Sequence, residues 1–151
     1  MKEVLEEKFV SVPNLHLIAE HGYFIRWGSS SDRQWQIFCD QNNDAHESNR
    51  WRDRVQSVME MYAKRTNGSN VRRKESAVLF RYANTDMEFG LHQASELKDH
   101  LESILEGWPL NVVQGKDYIE VRPAGVHKGF AVKKVSSTTL FCVLMRRSLS
   151  S

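Results

Sequence analysis

Apolar residues recur along this chain at two spacings, and the switches between them mark its elements. Val4, Leu5 and Phe9 share one side of a helical period with charges on the other, which predicts a helix that Pro13-Asn14 breaks. Leu15-His16-Leu17-Ile18-Ala19 is a short apolar run and Tyr23-Phe24-Ile25-Arg26-Trp27 a second. Both predict strands, with Glu20-His21-Gly22 at the turn between them. Residues 28–31 read as a loop, Trp35-Gln36-Ile37-Phe38 as a short strand, and 40–49 as a polar, exposed stretch. Val55, Val58, Met59, Tyr62 and Ala63 then recur at helical spacing, and Thr66-Asn67-Gly68-Ser69 ends that helix with turn residues. Over 71–82 the period drops to two, so one strand is expected. Leu91, Ala94, Leu97, Leu101, Ile104 and Leu105 predict a helix that Gly107 and Pro109 stop. Asn111-Val112-Val113 and Tyr118-Ile119-Glu120-Val121 predict a hairpin across Gln114-Gly115-Lys116.

The middle of the chain thus reads helix, strand, helix, strand, strand. That pattern predicts a compact α+β unit whose helices cover one face of a small sheet, leaving the other for a partner or ligand. After Gly129 the signal weakens. Residues 130–135 start a helix, Ser136-Ser137-Thr138-Thr139 dilutes it, and a bare apolar run at 140–145 leads into a basic, serine-rich end.

Composition narrows the function classes. A chain of 151 residues suits one domain or parts of two small ones. A net charge of +2 does not by itself imply nucleic acid. Cys39 and Cys142 are too few and too far apart for a disulfide framework or a zinc site, so a reducing, cytoplasmic compartment is expected. No stretch approaches the roughly 20 apolar residues of a membrane span. The start of the chain is too acidic for a signal or transit peptide. The six histidines show no metal spacing, and G-x-S-x-G, P-loop and G-x-G-x-x-G motifs are absent.

A few residues suggest chemistry. Glu120 and Arg122 alternate with Ile119 and Val121 and so share a strand face, with Lys116 at the adjoining turn. Such a face either binds hydroxyl groups or is simply solvated. Lys128 lies in Gly125-Val126-His127-Lys128-Gly129, at the entry to a helix, where a lysine either suits a phosphate or developing anion or is simply exposed. Glu20-His21 reads either as an acid–base pair or as a structural turn. Trp27, Trp35, Trp51 and Trp108 are expected to build core.

Four ordered segments together carry a resemblance. They are Leu17-Ile18-Ala19-Glu20-His21-Gly22-Tyr23-Phe24-Ile25-Arg26, then Asn67-Gly68-Ser69 with Lys74-Glu75-Ser76-Ala77. Next comes Phe89-Gly90 with Gln93-Ala94-Ser95-Glu96-Leu97 and Asp99-His100-Leu101-Glu102-Ser103. Last come Ile119-Glu120-Val121-Arg122-Pro123 and Gly125-Val126-His127-Lys128-Gly129. In order and spacing, from about Leu5 to Val135, the chain resembles the trehalose-6-phosphate phosphatase family. It is most like the phosphatase-like C-terminal region of plant two-domain trehalose-phosphate synthases.

The resemblance implies an α/β fold: a partial haloacid-dehalogenase-like Rossmannoid core with an inserted α+β cap. Residues 1–47 would be an N-terminal core fragment, 48–121 the cap, and 122–151 a C-terminal core fragment with a divergent tail. Lys74, Lys116 and Glu120 match cap positions that grip the sugar. Lys128 matches the catalytic core lysine that steadies the phosphate and phospho-aspartate. Trehalose 6-phosphate or a similar sugar phosphate is the implied partner, with neither nucleic acid nor membrane.

The departures are as informative. Arg72 stands where the family has an acidic residue, Ala83 falls near a family arginine, and His127 replaces a serine. The family's aspartate nucleophile and acid–base lie in D-x-D-G-T, and no D-x-D occurs here. Its magnesium needs an acidic pair after the lysine, yet no Asp or Glu follows Glu120. The expectation is a piece of a trehalose-6-phosphate phosphatase region, truncated at both ends and inactive alone. The alternative is a non-catalytic sugar-phosphate-binding or regulatory module.

Overall fold

The computed structural model describes residues 2–9, 11–28, 34–37 and 45–136, leaving aside the side chains of 45–49, 130, 134 and 136. The apolar run at 140–145 and both cysteines lie outside the described residues. The chain falls into two compact units, Met1–Gln41 with Gly125–Ser151, and Asn42–Ala124.

The first unit opens with helix α1 (Lys2–Phe9), strand β1 (Leu17–Ala19), a 3₁₀ turn (Glu20–Gly22), and strands β2 (Phe24–Arg26) and β3 (Gln36–Ile37). The strands pair antiparallel in the order β1-β2-β3, with Leu17 opposite Arg26 and Phe24 opposite Ile37. Glu6 fastens α1 to this sheet. Its Oε1 accepts from Arg26 Nη1 at 3.3 Å and from the Trp35 indole Nε1 at 2.7 Å.

The second unit contains helix α2 (Ala45–Arg65), strands β4 (Asn70–Arg73) and β5 (Val78–Arg81), helix α3 (Met87–Ile104), and strands β6 (Leu110–Gln114) and β7 (Tyr118–Pro123). Helix α4 (Lys128–Ser136) returns to the first unit. Two expectations change here. The single strand over 71–82 is a hairpin, because Lys74-Glu75-Ser76-Ala77 turns the chain and the Lys74 N–H bonds the Ala77 carbonyl at 2.8 Å. Helix α2 begins at Ala45, inside the stretch read as polar and exposed; the stretch holds no Gly or Pro, and propagating a helix costs far less than nucleating one.

The four-stranded sheet is antiparallel in the order β4-β5-β7-β6. Its register sorts side chains onto two faces. Val71, Phe80 and Ile119 form one row and Val78, Val121 and Val112 the next. These rows pack with Trp51, Val55, Met59 and Tyr62 of α2 and with Ala94, Leu97 and Leu101 of α3. The alternate rows carry Asn70, Arg81 and Tyr118, then Arg72, Leu79, Glu120 and Val113, then Arg122 and Asn111. One face is therefore apolar and helix-covered, the other mostly polar, as period-2 alternation requires.

Local chemistry sets the element ends. Asp86 caps α3, its side chain accepting from the Phe89 N–H at 3.0 Å. Gly68, at φ +88°, closes the turn after α2 against the Asn84 carbonyl, where a Cβ would collide. Among the tryptophans, Trp51 is core, whereas Trp108 is 39% exposed on the approach to β6 and does not build core. Among the described residues, no helix is long and apolar enough to cross a membrane.

Candidate functional site

The outer face of the four-stranded sheet gathers most of the residues singled out by sequence. Glu120 lies mid-strand in β7, between Leu79 on β5 and Val113 on β6, and is only 3% exposed. Burying a carboxylate is costly unless polar groups meet it, and Glu120 is not without an interaction partner. Lys116 is exposed, in the β6–β7 turn that the Gly115 N–H closes onto the Tyr118 carbonyl at 2.9 Å. Lys74 is half-buried at the β4–β5 turn.

The register shows what these three can do together. Lys74 lies one position past the Arg73–Val78–Val121 row, while Lys116 lies beyond the Asn70–Arg81–Tyr118 row. They sit toward opposite ends of the sheet, more than about 14 Å apart along the strands at about 3.4 Å per residue. They cannot share one anion there. Each can contact a different part of an elongated, hydroxyl-rich ligand, with Glu120 between them.

The same face carries groups that the sequence reading had not put forward as ligands: Arg72, Arg81 and Tyr118 beside Arg122. The signal was present in the alternation of residues 70–81, but it became legible only once that stretch was known to be two strands. Arg122 Nε is shielded from solvent and has no hydrogen-bond partner.

Lys128 belongs to the other unit, where it is the first residue of α4. The Glu20–Gly22 turn packs against this helix start. Glu20 and His21 hold φ of 50° and 58°, values that cost a non-glycine residue of order 1–3 kcal/mol. Gly22, at φ +100°, lies so close to α4 that a Cβ there would come within 2.7 Å of the Ala131 Cβ. The strained turn thus serves to seat the helix that carries Lys128.

A hard divalent cation such as magnesium prefers about six oxygen ligands. No Asp or Glu follows Glu120 in the sequence, and among the described residues no three His, Cys, Asp or Glu side chains group as a metal site. The described residues do not fit such an ion.

Comparison with known proteins agrees with this architecture. A family model for trehalose-phosphatase matches residues 1–141. The chain is 43% identical over 133 residues to a probable alpha,alpha-trehalose-phosphate synthase [UDP-forming] 9 of Arabidopsis thaliana, covering 88% of this chain but 14% of that one. The C-terminal domain of Candida albicans trehalose-6-phosphate phosphatase superposes with a TM-score of 0.70 at 30% identity, over 87% of this chain and 43% of that one. The C-terminal domain of a C. albicans trehalose synthase regulatory protein shares the fold, at TM-score 0.72 and 20% identity, over 91% and 44%. The chain therefore spans about one-seventh of the curated plant relative and less than half of these solved domains. Its fold is a partial haloacid-dehalogenase-like α/β core with an α+β insertion, and the chain belongs to the trehalose-phosphatase family.

Proposed function

We propose that this chain is a trehalose-phosphatase-type domain of trehalose biosynthesis that binds a sugar phosphate, trehalose 6-phosphate or a close relative, without hydrolysing it alone. The Asn42–Ala124 unit acts as the cap. In that unit Lys74, Lys116 and Glu120 are the residues offered to sugar hydroxyls on the outer sheet face; in the other unit Lys128, at the start of α4, is the residue offered to a phosphate. The carrying observation is a mismatch: these four polar residues are present, while no D-x-D occurs in the chain and no carboxylate follows Glu120. Phosphoryl transfer in this family runs through an aspartate nucleophile beside a magnesium cage, and neither has its residues here. A cytoplasmic setting goes with this reading, given two widely separated cysteines.

Two measurements test it. Incubated with trehalose 6-phosphate and magnesium, the chain should release phosphate no faster than a protein-free blank; release at an enzymatic rate overturns the claim of inactivity. In calorimetric titration the sugar phosphate should bind, and Lys128→Ala should weaken that binding. No heat at millimolar ligand removes the binding reading.

A further inference from the structure

The four-stranded sheet of the Asn42–Ala124 unit ends in two edge strands, β4 and β6, and the two are built differently. Strand β4, Asn70-Val71-Arg72-Arg73, carries two arginines, and charge on an edge keeps a further strand away. Strand β6 reads Leu110-Asn111-Val112-Val113-Gln114, with no charged residue, proline or glycine. Among the described residues no strand lies beyond it. Hydrogen bonding to β7 fixes which of its backbone groups are left over. Bonds flank β6 at both ends, from the Ala124 N–H to the Pro109 carbonyl at 2.8 Å and from the Gly115 N–H to the Tyr118 carbonyl at 2.9 Å. An antiparallel ladder alternates, so Asn111 and Val113 also turn their N–H and C=O groups toward β7. Leu110, Val112 and Gln114 turn theirs outward. The Leu110 N–H agrees with this, donating to the Trp108 carbonyl at 2.7 Å instead of across the ladder. Leu110 and Val112 pack against the inner core yet are only half-buried, and Trp108 beside them is 39% exposed.

We infer that β6 is an interface for a second copy of this chain, the two β6 strands pairing antiparallel about a two-fold axis at Val112. The occupant follows from the pattern of outward groups, which is its own complement. With Val112 opposite the partner's Val112, each Val112 N–H donates to the other's carbonyl, and each Gln114 N–H donates to the partner's Leu110 carbonyl. The Leu110 N–H, already bonded within its own chain, is not needed. Val112 meets the partner's Val112 on the inner side of the sheet, which covers the surface one copy leaves bare, and no like charges are opposed. A two-fold contact uses one patch twice, so a single self-complementary edge is enough. Strand β4 cannot do the same, because pairing two copies there would bring Arg72 close to the partner's Arg72. The joined sheet grows at its edge and leaves the outer face open. The inference therefore does not depend on the sugar-phosphate reading.

The test is sedimentation of the full chain from about 1 to about 100 µM, the range of a modest interface, with amide hydrogen exchange followed by NMR at both limits. The expected result is a monomer that becomes a dimer as concentration rises. The Val112 and Gln114 amides should gain protection in step, while the Val113 amide, bonded to β7, stays protected throughout. Gln114→Pro should weaken association about tenfold or more, because proline removes the donor to the partner's Leu110. Gln114 is exposed and its N–H faces away from β7, so the variant loses no bond inside the chain and should keep the wild-type circular dichroism spectrum. If that variant does not fold, the exchange measurement on the unaltered chain decides alone. A monomer at the upper concentration overturns the inference. So does a dimer unchanged in folded Gln114→Pro, or one in which the Val112 amide exchanges as fast as in the monomer, since either places the contact elsewhere. Protection of Val112 in the monomer overturns it too, because another segment of the same chain then occupies the edge.

Discussion

Phe80→Ala is the substitution that most directly tests how the sheet is held. Phe80 is the central residue of the inner face, paired with Val71 on one side and Ile119 on the other and fully buried. It shares a core with Met59, Leu97 and Leu101, and its ring lies 6.2 Å from that of Tyr82. Truncating a buried Phe to Ala costs about 3–5 kcal/mol, from lost transfer free energy plus the cavity left under a sheet pinned on both edges. A unit as long as Asn42–Ala124 holds only about 4–12 kcal/mol in total, at roughly 0.05–0.15 kcal/mol per residue. The variant should therefore lose a large part of its stability. With a urea slope of about 1.5 kcal/mol per molar, the midpoint should fall by roughly 2–3 M. The far-UV helical signal is a suitable probe, because α2 and α3, at 21 and 18 residues, supply most of the helix. Phe80→Leu, which nearly conserves volume, should lose less than about 1.5 kcal/mol. Met87→Ala is the control, since Met87 is 79% exposed. A Phe80→Ala midpoint no lower than that control would show that the inner face is not the core described here.

Three other outcomes are expected. Gly22→Ala should destabilise by about 1–3 kcal/mol, because the new Cβ meets Ala131 and the residue must hold a positive φ; an unchanged melting temperature would count against the seating of α4 on this turn. Glu6→Gln, by removing the charge that Arg26 and the Trp35 indole share, should cost about 1–2 kcal/mol and move Trp35 fluorescence; an unaltered emission spectrum in a Trp35-only background would argue that this bond is not formed. Limited proteolysis should leave a fragment close to Asn42–Ala124, whose described core is much larger than that of the other unit; equal resistance along the whole chain would contradict this.

Much of the fold was legible in the linear pattern because the two periods are physical consequences of backbone geometry. The helix over Met87–Ile104 was read from Leu91, Ala94, Leu97 and Leu101, and the hairpin of β6 and β7 from apolar residues on either side of Gly115. The strand over 71–82 was misread because alternation runs nearly unbroken through Lys74-Glu75-Ser76-Ala77. A tight turn between two strands in register preserves the alternation, so period alone cannot see it. The start of α2 was placed too late because an amphipathic criterion finds no apolar stripe where helix propagation needs none.

By itself, the sequence determined most of the element types, the family, and the absence of a D-x-D motif from these residues, since these depend on residue identity and local spacing. Tertiary structure alone decided which residues share a surface. Only the β4-β5-β7-β6 order makes Arg72 and Arg81 diagonal neighbours, buries Glu120 between Leu79 and Val113, and sends Lys74 and Lys116 toward opposite ends of one sheet. Strand pairing is a non-local choice made by burying the inner apolar rows against two helices, and the chemistry of the outer face follows from it.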